Sequence, residues 1–334
     1  MEVRLCNKDE IPKLVNFLRT YWNPNHVLVR RREVLLWQYR NVTGGLNFLI
    51  AIDKNEIYAV LGIIPLSHYD NCLESKKEAW GALWKVRPDC KIPGLGTLLQ
   101  RKATKELDFF GGIGVSQDNI SIQKALKNVV VHINHYYVLN KNVENFRIAK
   151  MLKELMSHPK SNDINFKMIE RDNINGIPEV HHAYFPVKSN CFLINRYQEN
   201  PFYNYKFLCC YRNNIVEAII VIKFVSVNNH RACRIIDVLG NLEFLTGLGK
   251  AIENYISDYK DIEYADFYNS GISKTYFLNN GFLEVDDYQD NLVIPNYFEP
   301  FLQKNSPLDG IIISKSPDKY VFFKGDADQD RPNI

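Results

Sequence analysis

The stretch from Trp84 to Leu99, Trp-Lys-Val-Arg-Pro-Asp-Cys-Lys-Ile-Pro-Gly-Leu-Gly-Thr-Leu-Leu, leaves the backbone few choices. An apolar run from Ala79 to Val86 has the character of a strand, and Pro88 interrupts it. Pro93, Gly94 and Gly96 then precede an apolar helical pattern. The stretch reads as strand end, tight turn and helix start. Glycines let a ligand approach the backbone closely, and the unpaired N–H groups of a helix start suit an anion such as a pyrophosphate. A plain strand-to-helix turn gives the same letters, so the residues alone leave both readings open.

A chain of 334 residues predicts two domains, each large enough for its own core. The formal net charge is only +3, which predicts no global field for nucleic acid or a membrane surface. Arg30, Arg31 and Arg32 read as a solvated helix end. The start, Met1 to Leu5, lacks the apolar run of a signal peptide, and no run of eighteen apolar residues could span a bilayer. A cytoplasmic protein is expected. Seven cysteines without CxxC spacing argue against a disulfide framework and a zinc site, and no metal is expected. Cys209 and Cys210 read as buried thiols.

In chain order, Asn7 or Asp9 can cap a helix from Ile11 to Trp22, with Pro12 in its first turn, and Glu33 to Arg40 reads as a second helix. Phe48–Ile52 and Ile57–Ile64 read as strands joined by the polar turn Asp53-Lys54-Asn55-Glu56. Ala79–Val86 leads into the glycine turn, and Thr97 to Phe109 is expected to be the helix behind it. Lys141 to Met156 reads as a helical connector and Ser157 to Asn175 as polar, irregular chain. Beyond it, Ile194–Glu199 and Phe207–Ala218 echo Leu36–Asn41 and Leu49–Ile57 in spacing and polarity. A strand Ala232–Leu239, the link Gly240-Asn241, a helix to Tyr259 and a strand Ala265–Asn269 complete the repeat.

The glycine stretch resembles the acyl-CoA loop of the GNAT N-acetyltransferase superfamily. Val86, Pro88, Asp89, Gly94 and Gly96 match its Val-x-Pro-(Asp/Glu) and (Arg/Gln)-x-x-Gly-x-(Gly/Ala) pattern, with Lys91 where the family has Arg or Gln. Gly114 to Asn119 looks like the family's next strand and its Asn, and Tyr276-Phe277-Leu278-Asn279-Asn280-Gly281-Phe282 resembles the closing helix. The resemblance implies an α/β fold of two tandem GNAT-like domains, each a mixed, mostly antiparallel twisted sheet flanked by helices. The expected boundaries are 1–140 for the first domain, 141–175 for the connector, 176–300 for the second and 301–334 for an extension. The short link at Gly240 places Gly247 and Gly249 inside a helix, so a single acyl-CoA is expected, in the first half.

The resemblance further implies an N-acyltransferase using acetyl-CoA or another acyl-CoA, held by Lys85, Val86, Lys91, Ile92, Pro93, Gly94, Leu95, Gly96, Thr97 and Asn119. The family's Tyr, seven residues beyond the Asn, falls here on Leu126. Candidate catalytic groups are Asp237, in an otherwise apolar strand, His135, and Glu78 beside the strand that leads to the loop. Each also has a plainer reading: Asp237 in a salt bridge, for instance to Arg234, His135 as a satisfied core or edge-strand residue, and Glu78 as a solvated strand end. His181 and His182 face opposite ways on a strand and share no ion.

The tail, Gly325-Asp326-Ala327-Asp328-Gln329-Asp330-Arg331-Pro332-Asn333, reads as solvated chain or as a segment folded back, anchored by the aromatics of Pro295–Phe301. These endings resemble tandem GNAT-type proteins of bacterial surface-polysaccharide synthesis, which implies a small-molecule acceptor, a nucleotide-linked amino sugar, without nucleic acid or a membrane span. The rival readings are a Fem-type aminoacyl-tRNA-dependent transferase and a non-catalytic binding protein of the same fold.

Overall fold

In the computed structural model of the chain, residues 1–151, 159–288, 291–316 and 319–333 are described. They form two compact units, one of residues 1–130, 310–316 and 331–333, the other of the remainder.

The first unit contains β1 (Glu2–Cys6), α1 (Ile11–Tyr21), α2 (Val27–Arg30), α3 (Arg32–Tyr39), β2 (Leu46–Asp53), β3 (Glu56–Pro65), β4 (Glu78–Val86), α4 (Leu95–Thr104), β5 (Phe109–Ile113) and α5 (Gln117–Ala125). A capping box opens the first helical segment: the Asn7 backbone N–H donates to the Glu10 carboxylate at 3.0 Å. Leu14, Phe17 and Leu18 of α1 are buried. At the β2–β3 turn Lys54 and Asn55 both take positive φ, the backbone that matches the twist of a two-residue hairpin. Strands β1 to β4 pair antiparallel in sequence order, and β4 pairs parallel with β5. Helix α4 packs Leu95 and Leu99 against Leu49, Ala51, Ala59 and Leu61 of that sheet.

Three expectations shift here. The helix after the loop ends at Thr104, because Phe109 and Phe110 are buried strand residues. Gly114 to Asn119 is not the strand itself: the strand ends at Ile113, Gly114 turns at φ +75°, and Ser116 caps α5, on which Asn119 lies. Residues 141–151 contain no helix and end in a short strand, Lys150–Met151; residues 152–156 of the expected connector lie outside the described residues.

The second unit's sheet runs in the order Leu283–Glu284, Asn134–Leu139, Ile262–Ser270, His230–Gly240, Ile215–Val227, Lys206–Arg212, Lys167–Arg171. It repeats the first unit: a positive-φ hairpin turn at Asn213 and Asn214, then an antiparallel meander, then a parallel pair flanking helix Leu248–Ser257. The repeat exchanges strands. Asn134–Leu139 pairs with Ile262–Ser270 in the second unit, whereas Gly310–Ser314 from the far end of the chain pairs antiparallel with β5 in the first. Among the described residues no helix is long and apolar enough to cross a membrane.

Candidate active site

The parallel pairing of β4 with β5 covers only Glu78 to Gly81, opposite Phe109 to Gly112. Beyond Gly81 the two strands splay, while β4 stays paired to β3 as far as Val86. Within this stretch the β3 register jumps from Ile63 opposite Gly81 to Leu61 opposite Trp84, so β4 carries one extra residue. Such a bulge reverses the side-chain alternation. It brings Trp84 and Val86 onto the same α4-facing side as Ala79.

The gap holds a cavity of about 280 Å³. Leu61, Gly81, Ala82, Trp84, Phe110, Gly112, Ile113, Gly114, Val115 and Ile311 supply its apolar wall, and Trp22, Lys85, Gln100, Ser116 and Asn119 its remaining groups. The Trp84 indole N–H is buried, with no hydrogen-bond partner among the described residues. Gln100 and Gln123 exchange amide hydrogen bonds at 3.1 and 3.3 Å, and Gln123 also donates to Asn119 at 2.9 Å, so the amides between α4 and α5 are held in one orientation. The Lys85 ammonium lies 5.9 Å from the Trp22 ring.

Beside the cavity is the start of α4. Gly94 takes φ +71° as its N-cap, with open space where a side chain would stand. The first bond of the helix is Leu98 N–H to the Gly94 carbonyl at 2.9 Å, so the N–H groups of Leu95, Gly96 and Thr97 precede the intrahelical ladder. Gly96 is small for packing: a Cβ there would stand 2.9 Å from Trp84 Cζ2. Arg87 fixes the other end of the loop by donating to Asp89 at 2.7 Å and Glu56 at 2.9 Å while its guanidinium stacks on Tyr58 and Tyr21. Lys91, Ile92 and Pro93 are exposed on the loop, and Val86 packs beneath it.

The second unit keeps the plan and closes it. Gly247-Leu248-Gly249 repeats Gly94-Leu95-Gly96, and Gly247 is a left-handed N-cap like Gly94. Gly247 therefore lies outside the helix, correcting the reading from the short link; Gly240 is followed by a turn, Leu242–Phe244, and the helix starts at Leu248. Two donors at this helix start are engaged by one residue: the N-cap Gly247 N–H donates to Asn280 Oδ1 at 2.8 Å and Gly249 N–H to the Asn280 carbonyl at 2.7 Å. The splay is filled too. Pairing of His230–Gly240 with Ile262–Ser270 stops at Ile235 opposite Phe267, and Phe322–Phe323 pairs with Asn269 and Ser270 beyond it. Gly325 N–H donates to the Ile236 carbonyl at 2.6 Å.

The tail is thus not solvated chain: Asp326, Ala327 and Asp328 are buried. Lys188 donates to Asp237 at 2.6 Å and to Asp326 at 2.8 Å, with all three side chains at most 1% exposed. Burial alone would lower the Lys188 pKa, but the two carboxylates raise it. Burial pushes Asp326 up to about 6 against the pull of Lys188. Just before the tail, Lys324 Nζ donates to Asn296 Oδ1 at 2.7 Å and lies 5.9 Å from the Tyr297 ring, so the contact with Pro295–Phe301 runs first through an amide rather than through the aromatics expected.

None of the three expected catalytic residues lines the cavity. Glu78 is buried at the start of β4, opposite Phe109, away from the loop. Asp237 is in the second unit, bonded to Lys188 and to the Tyr197 hydroxyl at 2.7 Å, and Arg234 pairs with Asp266 instead. His135, also in the second unit, stacks on Tyr268 and contacts Asp266 at 3.2 Å; burial lowers its pKa. Of the expected ligand-binding residues, Lys85 and Asn119 line the cavity and Gly94 to Thr97 form the helix start. Trp84, Gln100, Ser116 and Ile311 went unrecognised; only Ser116, a capping residue before a helix, carried a local signal. A larger groove of about 610 Å³, lined by residues including Trp37, Arg40, His68 and Glu74, contains none of the loop residues.

No protein-family model matches the sequence, and no curated protein matches it. Solved structures do match. A GCN5-related N-acetyltransferase from Anabaena variabilis ATCC 29413 aligns with a TM-score of 0.54 at 10% identity, over 94% of this chain and 72% of that one. A conserved protein of unknown function from Enterococcus faecalis V583 aligns with a TM-score of 0.51 at 10% identity, over 85% and 69%. At such identity the likeness is one of fold, and the fold is that of the GCN5-related N-acetyltransferases, present twice in this chain.

Proposed function

We propose that the protein is an acyl-CoA-dependent N-acyltransferase whose donor site lies in the first unit. The observation that carries this reading is the bulged, splayed β4–β5 pair, opening a cavity beside an α4 start whose first N–H groups precede the intrahelical ladder. Acyl-CoA, when bound, supplies an activated thioester. The residues present fit it: the N–H groups of Leu95, Gly96 and Thr97 suit a pyrophosphate, and the Trp84 indole N–H and the Asn119 and Gln100 amides suit the amide groups of its arm. The β4 edge beyond Gly81 offers backbone N–H groups to an oxyanion. In the transfer, the acceptor nitrogen bonds the acyl carbon, the carbon–sulfur bond breaks, the nitrogen loses a proton and the thiolate gains one. Among the described residues, Lys85 has the one charged side chain in the cavity lining. Its ammonium is a donor for the leaving sulfur.

The acceptor is an amine. A nucleotide-linked amino sugar is the first class to screen, on the resemblance of the chain's ending alone. The decisive experiment is calorimetry of acetyl-CoA with the purified chain, followed by mass-spectrometric detection of acylated product from an amine panel. Mass spectrometry is needed because exposed Cys72 and Cys191 would react with a thiol reagent for released CoA. Micromolar binding with product supports the reading. Binding without product on any amine supports the non-catalytic alternative, and absence of binding overturns the donor site in favour of an aminoacyl-tRNA donor.

A further inference from the structure

The closed end of the cavity is built partly by a residue two hundred positions away from the loop in the sequence. Ile311, on the strand Asp309–Ser314, is opposite Gly112 of β5. A Cβ on Gly112 would stand 3.2 Å from Ile311 Cγ1 and 3.5 Å from Cδ1, so the Ile311 side chain lies over that glycine. Gly112 is also the last residue of β5 still paired with β4, through Gly81. A Cβ on Gly81 would overlap the Phe110 ring. At the vertex of the splay, therefore, two glycines leave space that Phe110 and Ile311 fill, and the surface there is apolar. The polar lining residues on this side, Ser116 and Asn119, come after β5 has ended, toward the open side of the gap.

We propose that Ile311, brought to this vertex by the exchanged strand, sets the longest acyl chain the site accepts. The proposal rests on the acyl-CoA reading above. A cavity of about 280 Å³ accommodates the narrow arm of the donor with little room beyond it. A branched side chain over the vertex then selects for a short acyl group. In an apolar pocket one methylene shifts discrimination by about one to two orders of magnitude when it is sterically refused. One that is accommodated gains roughly fourfold in affinity. Ile311 is a specificity residue supplied by the exchanged strand, so the C-terminal segment is part of the donor site.

The test compares calorimetric affinities of CoA, acetyl-CoA, propionyl-CoA and butyryl-CoA for the full chain, Ile311→Ala and Ile311→Val. Ile313→Ala is the control: it lies on the same strand but packs on the α4 core and does not line the cavity. The expected result is wild-type affinity that falls from acetyl to butyryl. In Ile311→Ala the order reverses, with about fourfold gained per added methylene, while the affinity for CoA itself is unchanged. Ile311→Val moves the limit by one carbon and carries the test if the alanine variant does not fold. An unchanged chain-length order in both variants, with acyl-CoA still bound, refutes the role of Ile311 and leaves the donor site standing. If the wild type binds none of the four compounds, the donor-site reading itself falls and this inference with it.

Discussion

Replacing Lys188 with Met tests what holds the second unit closed. Its ammonium is 1% exposed and bridges Asp237 and Asp326, whose side chains are equally buried. Without it the remaining donors to the carboxylates among the described residues are the Tyr197 hydroxyl and Val238 N–H on Asp237, at 2.7 and 2.8 Å, and Phe323 N–H on Asp326, at 2.9 Å. These satisfy lone pairs but leave two anions in one dry site. Breaking a buried ion pair costs about 3–5 kcal/mol. For a unit of this size that corresponds to a fall in Tm of roughly 6–20 °C. The sign with pH is definite. The folded-state pKa of Asp326 already stands above its unfolded value, so its contribution to stability is largest below the unfolded pKa and declines as pH rises toward about 6. Removal of Lys188 takes away the cation that pulls Asp326 down, so its pKa rises further and the variant regains stability as pH falls and Asp326 is protonated. Urea denaturation of wild type and Lys188→Met between pH 4.5 and pH 8 measures this. A loss under about 1 kcal/mol at pH 8 or a gap independent of pH would refute the claim that this ion pair seats the tail.

Trp84→Phe removes the unpartnered indole donor while keeping an aromatic ring; acetyl-CoA affinity should fall about 2- to 12-fold, and an unchanged calorimetric Kd in a folded variant would exclude Trp84 from the donor site. Asn280→Ala strips the acceptor from the buried Gly247 N–H and should cost about 1–3 kcal/mol of stability by chemical denaturation, without altering acetyl-CoA binding in the first unit. Lys324 is fully buried, and burial together with Arg234 pulls its pKa down to about 7. A group depressed in the fold is neutral there while still protonated when unfolded, so between about pH 7 and pH 10 stability should rise with pH by ~1.4 kcal/mol per unit. Lys324→Met should flatten that rise; a persisting slope in the variant would assign it to another group.

The elements that could be read from the sequence were those governed by local physics. Pro88, Gly94 and Gly96 announce a turn into a helix whatever surrounds them, and Lys54-Asn55 and Asn213-Asn214 make the same positive-φ hairpins in both halves. The alternation of apolar residues identified the meander strands, and with the loop it was enough for the tandem fold. The boundary of α4 was misplaced because Phe109 and Phe110 continue an apolar pattern that only burial in the sheet resolves into a strand.

What the sequence by itself determined was thus the local backbone: where the chain turns, which glycine takes a left-handed conformation and which helix start can offer its donors. What only the tertiary structure decided was occupancy. The same Gly-Leu-Gly start is open in the first unit and capped by Asn280 in the second, and the same splay holds a cavity in one and the chain's own Phe322–Gly325 in the other. Asp237 looked reactive in isolation and is tied to Lys188, forty-nine residues earlier, while Ile311 looked like part of an appendage and lines the site. Such contacts join residues far apart in the chain, and no local propensity encodes which of two similar gaps a distant segment will fill.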